Sequence, residues 1–242
     1  MQKIPLVCLP FAGGSRYSYR NYEGCTPAFL ELHPLEYPGR GRRVQERLLT
    51  DMDAIIVDLY RQVKDGIFDG SYALYGHSMG GLAAILLARL IFSEGRRPPV
   101  HLFITGAGAP SSSKARKKMR HLLGKAEFID EIRALDGCPA EVLENPSLLE
   151  FIEPILRADF CATENYSHRR RERMEVPMTI ITGTMEELDE EDILGWQEES
   201  SLPVDFYRMP GNHFFIYDHS ARIMEIIGHS LGSGMATRES RG

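Results

Sequence analysis

The segment "YALYGHSMGG", residues 72–81, runs from an apolar stretch into a serine that stands between two glycines. Its centre matches G-x-S-x-G, the pattern of a nucleophile elbow, which is a sharp turn from a strand into a helix. The turn strains the backbone of the serine and leaves no room for bulky neighbours, which explains Gly76 and Gly80. We therefore predict that Ser78 stands exposed above a sheet, at the N-terminus of a helix that begins near Met79.

Short apolar runs alternate with longer amphipathic ones on both sides of this segment, which indicates a parallel sheet with crossover helices. The predicted helices include 79–93, 218–231 and the stretch from 50 to 68, where apolar residues recur at helical spacing. The predicted strands are residues 4–9, 32–37, 72–75, 100–105, 178–182 and 204–209. The pattern predicts an α/β protein with a mostly parallel central sheet flanked by helices.

One interruption and one tail stand out in this pattern. Residues 111–175 contain several short helical patterns and no convincing strand, so we expect a helical lid insertion over the C-terminal edge of the sheet. Residues 232–242 have no apolar face, so we expect a disordered tail. The rest, 1–231, is of ordinary size for a single domain.

The composition excludes several classes of protein. A content of 43% hydrophobic and 26% charged residues is typical of a soluble globular protein. A net charge of −6 argues against nucleic acid as the main partner, because phosphate binding needs clustered positive charge. No stretch reaches the roughly 18 apolar residues of a membrane span, and the N-terminus is a poor signal peptide. We expect a cytoplasmic protein without a membrane partner.

The cysteines give no sign of a metal or of a disulfide framework. The four of them are scattered, without a CxxC pair or a regular spacing. We therefore expect reduced thiols and no bound metal. They are Cys8, Cys25, Cys138 and Cys161.

A serine nucleophile needs a base within hydrogen-bonding reach, and eight histidines compete for that role. His213 is the candidate, because "PGNHFF" places it in a loop just after the last predicted strand. His219 fits a solvated or capping position in the following helix, and we interpret His77 as a packing residue that points away from Ser78. Five others lack any such context, namely His33, His101, His121, His168 and His229.

A carboxylate should orient the imidazole of the base from a loop after an earlier strand. The loop after 178–182, "GTMEELDEED", offers several. Glu186 is our first candidate and Asp189 the alternative, while most acids of this run fit the first turn of a helix. The loop after 100–105 is nearly excluded, because it contains no acid before Glu127.

An oxyanion needs two N–H donors in such a site. Met79 at the elbow is one candidate, and the segment "LPFAGGS", residues 9–15, supplies the other in Ala12, since its two glycines allow close backbone approach. A glycine-rich turn that only reverses the chain is the alternative.

The ordered motifs "CLPFAGGS", "YPGRGRR", "YGHSMGG", "PILRADFCATENY" and "PGNHFF" resemble those of the type II thioesterases that accompany nonribosomal peptide and polyketide synthases. The resemblance spans residues 4–230. It implies an α/β-hydrolase fold with a helical lid, Ser78 and His213 as catalytic residues, and Ala12 and Met79 as oxyanion donors. The chain departs from the family pattern at Glu186, where Asp is usual.

The resemblance also implies an activity and partners. The expected reaction is hydrolysis of acyl groups from the phosphopantetheine thiol of acyl or peptidyl carrier proteins, which is an editing task. The enzyme needs no cofactor of its own for this reaction, because the substrate carries the phosphopantetheine. We expect it to act as a monomer.

The run "SSSKARKKMRH" is strongly basic and has two interpretations. Such a run is usually a solvated face, but here it is also a candidate docking surface for an acidic carrier protein. Its cations are Lys114, Arg116, Lys117, Lys118 and Arg120.

Two other functions compete with this interpretation. A stand-alone carboxylesterase, lactonase or peptidase would use the same residues, because a fold does not fix the substrate. A catalytically silent binding module would present the lid to a partner. The intact set of serine, histidine and carboxylate argues against the silent module.

Overall fold

The computed structural model describes residues 3–66, 70–111, 118–135, 137 and 140–239. Six parallel strands form one sheet in the order β2-β1-β3-β4-β5-β6. The strands are β1 (Ile4–Leu9), β2 (Leu30–Pro34), β3 (Ala73–His77), β4 (Leu102–Thr105), β5 (Met178–Gly183) and β6 (Val204–Met209). The predicted α/β class and parallel sheet are confirmed.

The helices of the described ranges connect these strands. They are α1 (Met52–Val63), α2 (Met79–Ser93), α3 (Lys125–Leu135), α4 (Ala140–Glu144), α5 (Pro146–Glu164), α6 (Glu190–Leu194) and α7 (Ser220–Glu239). Short 3₁₀ segments lie at Arg16–Cys25, Gly41–Arg43, Arg120–Leu122 and Gly195–Glu198.

The sheet carries a hydrophobic core on each face. On one face, α1 and α2 contribute Leu59 and Ile85, both fully buried. On the other face, α7 and the segment Arg16–Cys25 contribute Ile223 and Tyr19. Strands that are covered on both faces have no need of alternating polar residues, which is why β3 and β5 are buried throughout.

Strand β2 differs from its prediction, because it spans Leu30–Pro34 and not 32–37. The chain leaves the sheet after Pro34, and the Tyr37 hydroxyl donates a hydrogen bond to Pro10 O at 2.8 Å. The segment after β2 is thereby held against the loop that follows β1, beside the elbow.

Helix α7 continues through Glu239, beyond residue 231, where the sequence predicted the start of a disordered tail. A helix that is already nucleated gains a backbone hydrogen bond with each added residue, so it can extend without an apolar face. Residues 240–242 lie outside the described residues.

The insertion between β4 and β5 is helical, as the sequence predicted, and contains α3, α4 and α5. Its side chains form a small core of their own, made of Phe128, Ile132, Leu143, Leu149 and Leu156. The function of this insertion as a lid stays a prediction. Across the part of the chain that the structure describes, no helix combines the length and apolarity needed to span a membrane.

Candidate active site

Ser78 lies on the sharp turn between β3 and α2. Its φ of 55° and ψ of −118° make it the only non-glycine residue with positive φ in the described ranges. Such a conformation costs about 1–3 kcal/mol, and the surrounding structure must hold it in place. A Cβ on Gly76 would overlap Gly80 O, and one on Gly80 would overlap Leu9 O. These contacts explain both glycines of the motif.

A methyl group at the first of these glycines is expected to destabilise the fold. Gly76→Ala should lower the free energy of unfolding by about 3 kcal/mol, the upper part of the range for overpacking, because its Cβ meets rigid backbone. Urea denaturation measures this change. Gly24→Ala is the matched control, since a Cβ at Gly24 meets nothing within 4 Å. Equal stability of the two variants would contradict a backbone-packed elbow.

The loop after β6 brings an imidazole to a buried carboxylate. His213 Nδ1 lies 2.6 Å from Glu186 Oε1, and their side chains are 22% and 3% exposed. The other carboxylate oxygen, Oε2, accepts a hydrogen bond from Gly183 N at 2.6 Å. Because the ionised form of a carboxylate only accepts hydrogen bonds, we assign Nδ1 as the donor, which leaves a lone pair on Nε2. Glu186 therefore orients the ring and sets its tautomer.

The alternative acid occupies a different position. Asp189 is the exposed N-cap residue of α6, and Glu190, Glu191 and Asp192 follow in the first turn of that helix. Acidic residues favour this end of a helix because its dipole is positive there. The structure therefore brings Glu186 to His213 and places Asp189 at a helix start, and the role of Glu186 as the catalytic acid stays a prediction.

His77 is fully buried directly beneath the imidazole of His213. The two ring centroids are 4.8 Å apart, and His77 Nδ1 lies 3.0 Å from Thr105 Oγ1. Burial, together with the charge of His213, lowers the pKa of His77 well below its usual value. His77 is thus a neutral packing residue, as the sequence indicated, and its contact with His213 is an addition from the structure.

The turn after β1 lies against the elbow and contains the other predicted oxyanion donor. Gly14 N donates to Phe11 O at 2.9 Å, and Gly13 has a φ of 77°, the value that a type II turn requires at its third residue. Ala12, the second residue of this turn, is half-buried. The Tyr19 hydroxyl anchors the preceding strand end by donating to Leu9 O at 2.6 Å.

A pocket of about 520 Å³ opens at the elbow, within the size range of small-molecule sites. Its lining includes Ser78, Met79, His213 and Glu186. Ala12 is not one of the described residues that line the pocket. The remaining wall is partly apolar, with Leu82, Ala107, Ala109, Pro110, Ala134, Leu135, Phe160, Tyr166, Met185 and Leu188.

Part of the basic run reaches the same pocket. Lys118 and Arg120 line the pocket, and both form ion pairs with Glu131. Lys118 Nζ lies 3.4 Å and Arg120 Nε lies 3.2 Å from Glu131 Oε2. Arg120 also contacts Glu164, a buried residue of α5. The other three cations of the run, Lys114, Arg116 and Lys117, lie outside the described residues. No group of three metal-binding side chains occurs within the described ranges.

The sequence analysis missed one buried ion pair close to the site. Arg40 and Asp159 lie within two of the family motifs and form a bidentate ion pair. Arg40 Nη1 lies 2.5 Å from Asp159 Oδ2, and Nη2 lies 2.7 Å from Oδ1. One signal in the sequence points to it. Asp159 stands among the residues of α5 that face the core, such as Leu156 and Ala162, and a charge in that position needs a buried partner.

Comparisons with known proteins show the family to which this chain belongs. The family model for the thioesterase domain matches residues 4–237. The gramicidin S biosynthesis protein GrsT of Aneurinibacillus migulanus is 31% identical over 230 residues, which cover 95% of this chain and 89% of that protein.

Two solved structures are close to this chain as well. The structure of ClbQ from the colibactin NRPS/PKS pathway superposes with a TM-score of 0.90 at 28% identity, over 96% of this chain and 98% of that one. The type II thioesterase BorB from the borrelidin biosynthetic cluster superposes with a TM-score of 0.86 at 30% identity, over 95% of this chain and 93% of that one. This chain belongs to the thioesterase domain family, and it is a hydrolase of thioesters with an α/β-hydrolase fold.

Proposed function

We propose that this protein is a type II thioesterase that removes acyl groups from the phosphopantetheine arm of carrier proteins in a nonribosomal peptide or polyketide system. The observation that carries the proposal is the 2.6 Å contact between His213 Nδ1 and Glu186 Oε1, in a pocket that Ser78 also lines. ClbQ comes from an NRPS/PKS pathway and BorB is a type II thioesterase from a biosynthetic cluster, which supports the choice of carrier-bound substrates.

In the first half of the reaction, Ser78 Oγ attacks the carbonyl carbon of the thioester while His213 Nε2 takes the hydroxyl proton. The negative charge that develops on the carbonyl oxygen is stabilised by the N–H groups of Met79 and Ala12. The tetrahedral intermediate collapses, the bond from carbon to sulfur breaks, and the imidazolium returns its proton to the departing thiolate. An acyl group is then bound to Ser78 as an ester.

In the second half, His213 takes a proton from a water molecule that attacks the acyl-enzyme. The same two N–H groups receive the new oxyanion, and the bond to Ser78 Oγ breaks as the imidazolium protonates that oxygen. The acid leaves and the free serine is restored. Glu186 stabilises the imidazolium in both halves without becoming protonated itself.

A comparison of substrates tests the proposal. Wild-type protein is given one acyl group in three forms, namely on a carrier protein, on free pantetheine and as a simple ester. We expect the highest kcat/KM for the carrier-bound form. Preference for the simple ester would indicate a carboxylesterase, and inactivity on all three would indicate a binding module.

Charge reversal in the basic run tests carrier docking. Lys114→Glu together with Lys117→Glu should lower kcat/KM for an acyl-carrier substrate about tenfold at low salt, because surface charge steers association with acidic partners. The loss should shrink at high salt through screening. Hydrolysis of an acyl-pantetheine without a carrier should stay within about twofold of wild type.

The matched control reverses two charges, on Arg61 of α1 and on Lys64, the residue that follows this helix. The variant is Arg61→Glu with Lys64→Glu, since both residues are exposed and neither lines the pocket. Docking at the basic run predicts a much smaller effect there. Equal losses on carrier-bound and carrier-free substrates, or in both double variants, would discard the docking surface.

A further inference from the structure

A carboxylate of the helical insertion accepts a hydrogen bond from the backbone of the turn after β1. Asp159 Oδ2 on α5 accepts a hydrogen bond from Gly13 N at 2.7 Å, and the Asp159 side chain is 1% exposed. Leu156, one turn earlier on the same helix, packs against the same glycine, since a Cβ on Gly13 would press into its side chain. Helix α5 therefore holds this turn with one polar and one apolar contact.

Arg40 completes the contact and neutralises the carboxylate. Its Nη1 lies 2.5 Å from Asp159 Oδ2 and its Nη2 lies 2.7 Å from Oδ1. The same Nη1 donates to Gly14 O at 3.3 Å. The ion pair thus holds an N–H group and a C=O group of one turn, and its bidentate form fixes the carboxylate in one orientation. Without Arg40, the buried negative charge would oppose a nearby oxyanion.

These bonds determine which way the peptide groups of the turn face. Type I and type II turns differ by a flip of the central peptide, which here joins Ala12 to Gly13. Asp159 holds the N–H of that peptide, so a flip would break a charged, buried hydrogen bond. Gly14 N donates a hydrogen bond to Phe11 O, which fixes the peptide group between Phe11 and Ala12. Because this peptide group is trans, the Ala12 N–H points in the direction opposite to the Phe11 C=O.

The same helix also faces the substrate pocket. Phe160, Thr163 and Glu164 of α5 line it beside Ser78 and His213. An acyl group that fills the pocket therefore contacts the helix that carries Asp159, and the seating of α5 is linked to the geometry of the turn.

We infer that Asp159, held by Arg40, is a positioning residue that assembles the oxyanion-binding turn only when α5 is seated against it. This inference rests on the proposed function, in which Ala12 N–H receives the oxyanion. The helical insertion is then part of the catalytic apparatus. An acyl group that does not hold α5 in contact with the turn would react at a site where the oxyanion-binding N–H groups are not in position.

Two variants test the inference. Asp159→Asn removes the charge that holds the turn. The double variant Arg40→Met with Asp159→Leu removes the pair altogether, and such apolar replacement of a buried ion pair often preserves folding. In both, kcat for a carrier-bound acyl group should fall about 10-fold to 100-fold, since misplacing a catalytic group by about 1 Å can cost a factor of this size. KM should stay within about threefold.

Readouts besides the rate separate positioning from loss of folded protein. Each kcat is expressed per active site, counted by complete fluorophosphonate labelling. An acyl trifluoromethyl ketone, which forms a tetrahedral adduct with the serine, should lose affinity by the same factor as kcat, because its oxyanion needs the same turn. The affinity for the product acid should stay near that of wild type.

Glu199→Gln is the matched control. It breaks another buried ion pair, between Arg89 and Glu199 at 2.5 Å, whose side chains are 10% and 5% exposed and lie outside the pocket lining. It should lower stability and leave kcat per active site within about twofold.

Wild-type kcat and ketone affinity in both Asp159 variants would overturn the inference, as would an equal loss in Glu199→Gln. A wild-type protein that hydrolyses no thioester would instead reject the proposed function, and the ketone affinities would still report on the turn.

Discussion

Ser78→Ala is expected to lower kcat for a carrier-bound acyl group by at least about 10³-fold, because the variant has no hydroxyl to attack the thioester. The remaining rate should be that of water attacking in the pocket. KM should change little, since the pocket lining is otherwise intact. Alanine meets nearly the same backbone strain as serine at a φ of 55°, so the variant should fold with a similar Tm. Single-turnover release of the acid measures the effect.

Ser93→Ala provides the control for this substitution. Ser93 is an exposed residue at the end of α2, and its hydroxyl donates to Leu90 O at 2.8 Å. This variant should keep its rate within about twofold of wild type. A Ser78→Ala protein that retained a tenth or more of the wild-type rate would remove the serine from its proposed role.

Glu186→Gln should lower kcat by about 10³-fold to 10⁴-fold, the scale known for neutralising the acid of a serine triad. The amide no longer stabilises an imidazolium. Its NH₂ group donates to His213 Nδ1, which places the ring proton on Nε2 and leaves no lone pair there to take the serine proton. The main-chain bond from Gly183 N to the side chain can persist through the amide oxygen, so the fold should remain intact. Steady-state hydrolysis across pH 6–9 measures the loss.

Asp189→Asn is the matched comparison, because it neutralises the other candidate acid in the same loop. Asparagine is nearly the same size as aspartate and is equally favoured at the N-cap position, so α6 should keep its start. The rate should stay within about twofold of wild type. A severe loss in Asp189→Asn together with a mild one in Glu186→Gln would reassign the acid.

The elbow was predictable from the sequence because its physical requirements are local. Gly76, Ser78 and Gly80 meet within one turn, and the strand before them and the helix after them have clear apolar patterns. The position of His213 at the same edge of the sheet was predictable for a related reason. It lies in the loop that follows β6, and the carboxyl ends of parallel strands meet at one edge of the sheet.

The choice of acid depended on a loop path that no local pattern encodes. Glu186 and Asp189 are equally acidic and lie three residues apart. The difference is that Glu186 Oε2 reaches back to Gly183 N, which aims the other oxygen at His213. Such a path follows from tertiary contacts, and the sequence could only narrow the choice to two residues.

The contact between α5 and the turn after β1 lay further beyond sequence reasoning. Arg40 and Asp159 are 119 residues apart, and each belongs to a segment whose local pattern is complete without the other. Only the packing of the insertion onto the sheet brings them together. The same limit applies to the end of β2, where Tyr37 turns back to Pro10 instead of extending the strand.

The central claim, that the Ser78 hydroxyl is the nucleophile for thioester hydrolysis, is tested most directly by stoichiometric labelling with a fluorophosphonate. We predict one equivalent of phosphonate on Ser78, located by peptide mass mapping, with hydrolysis of a carrier-bound acyl group lost in proportion to labelling. His213→Ala should label far more slowly. Full hydrolysis by completely labelled protein, or labelling at another residue with the same loss of activity, would contradict the claim.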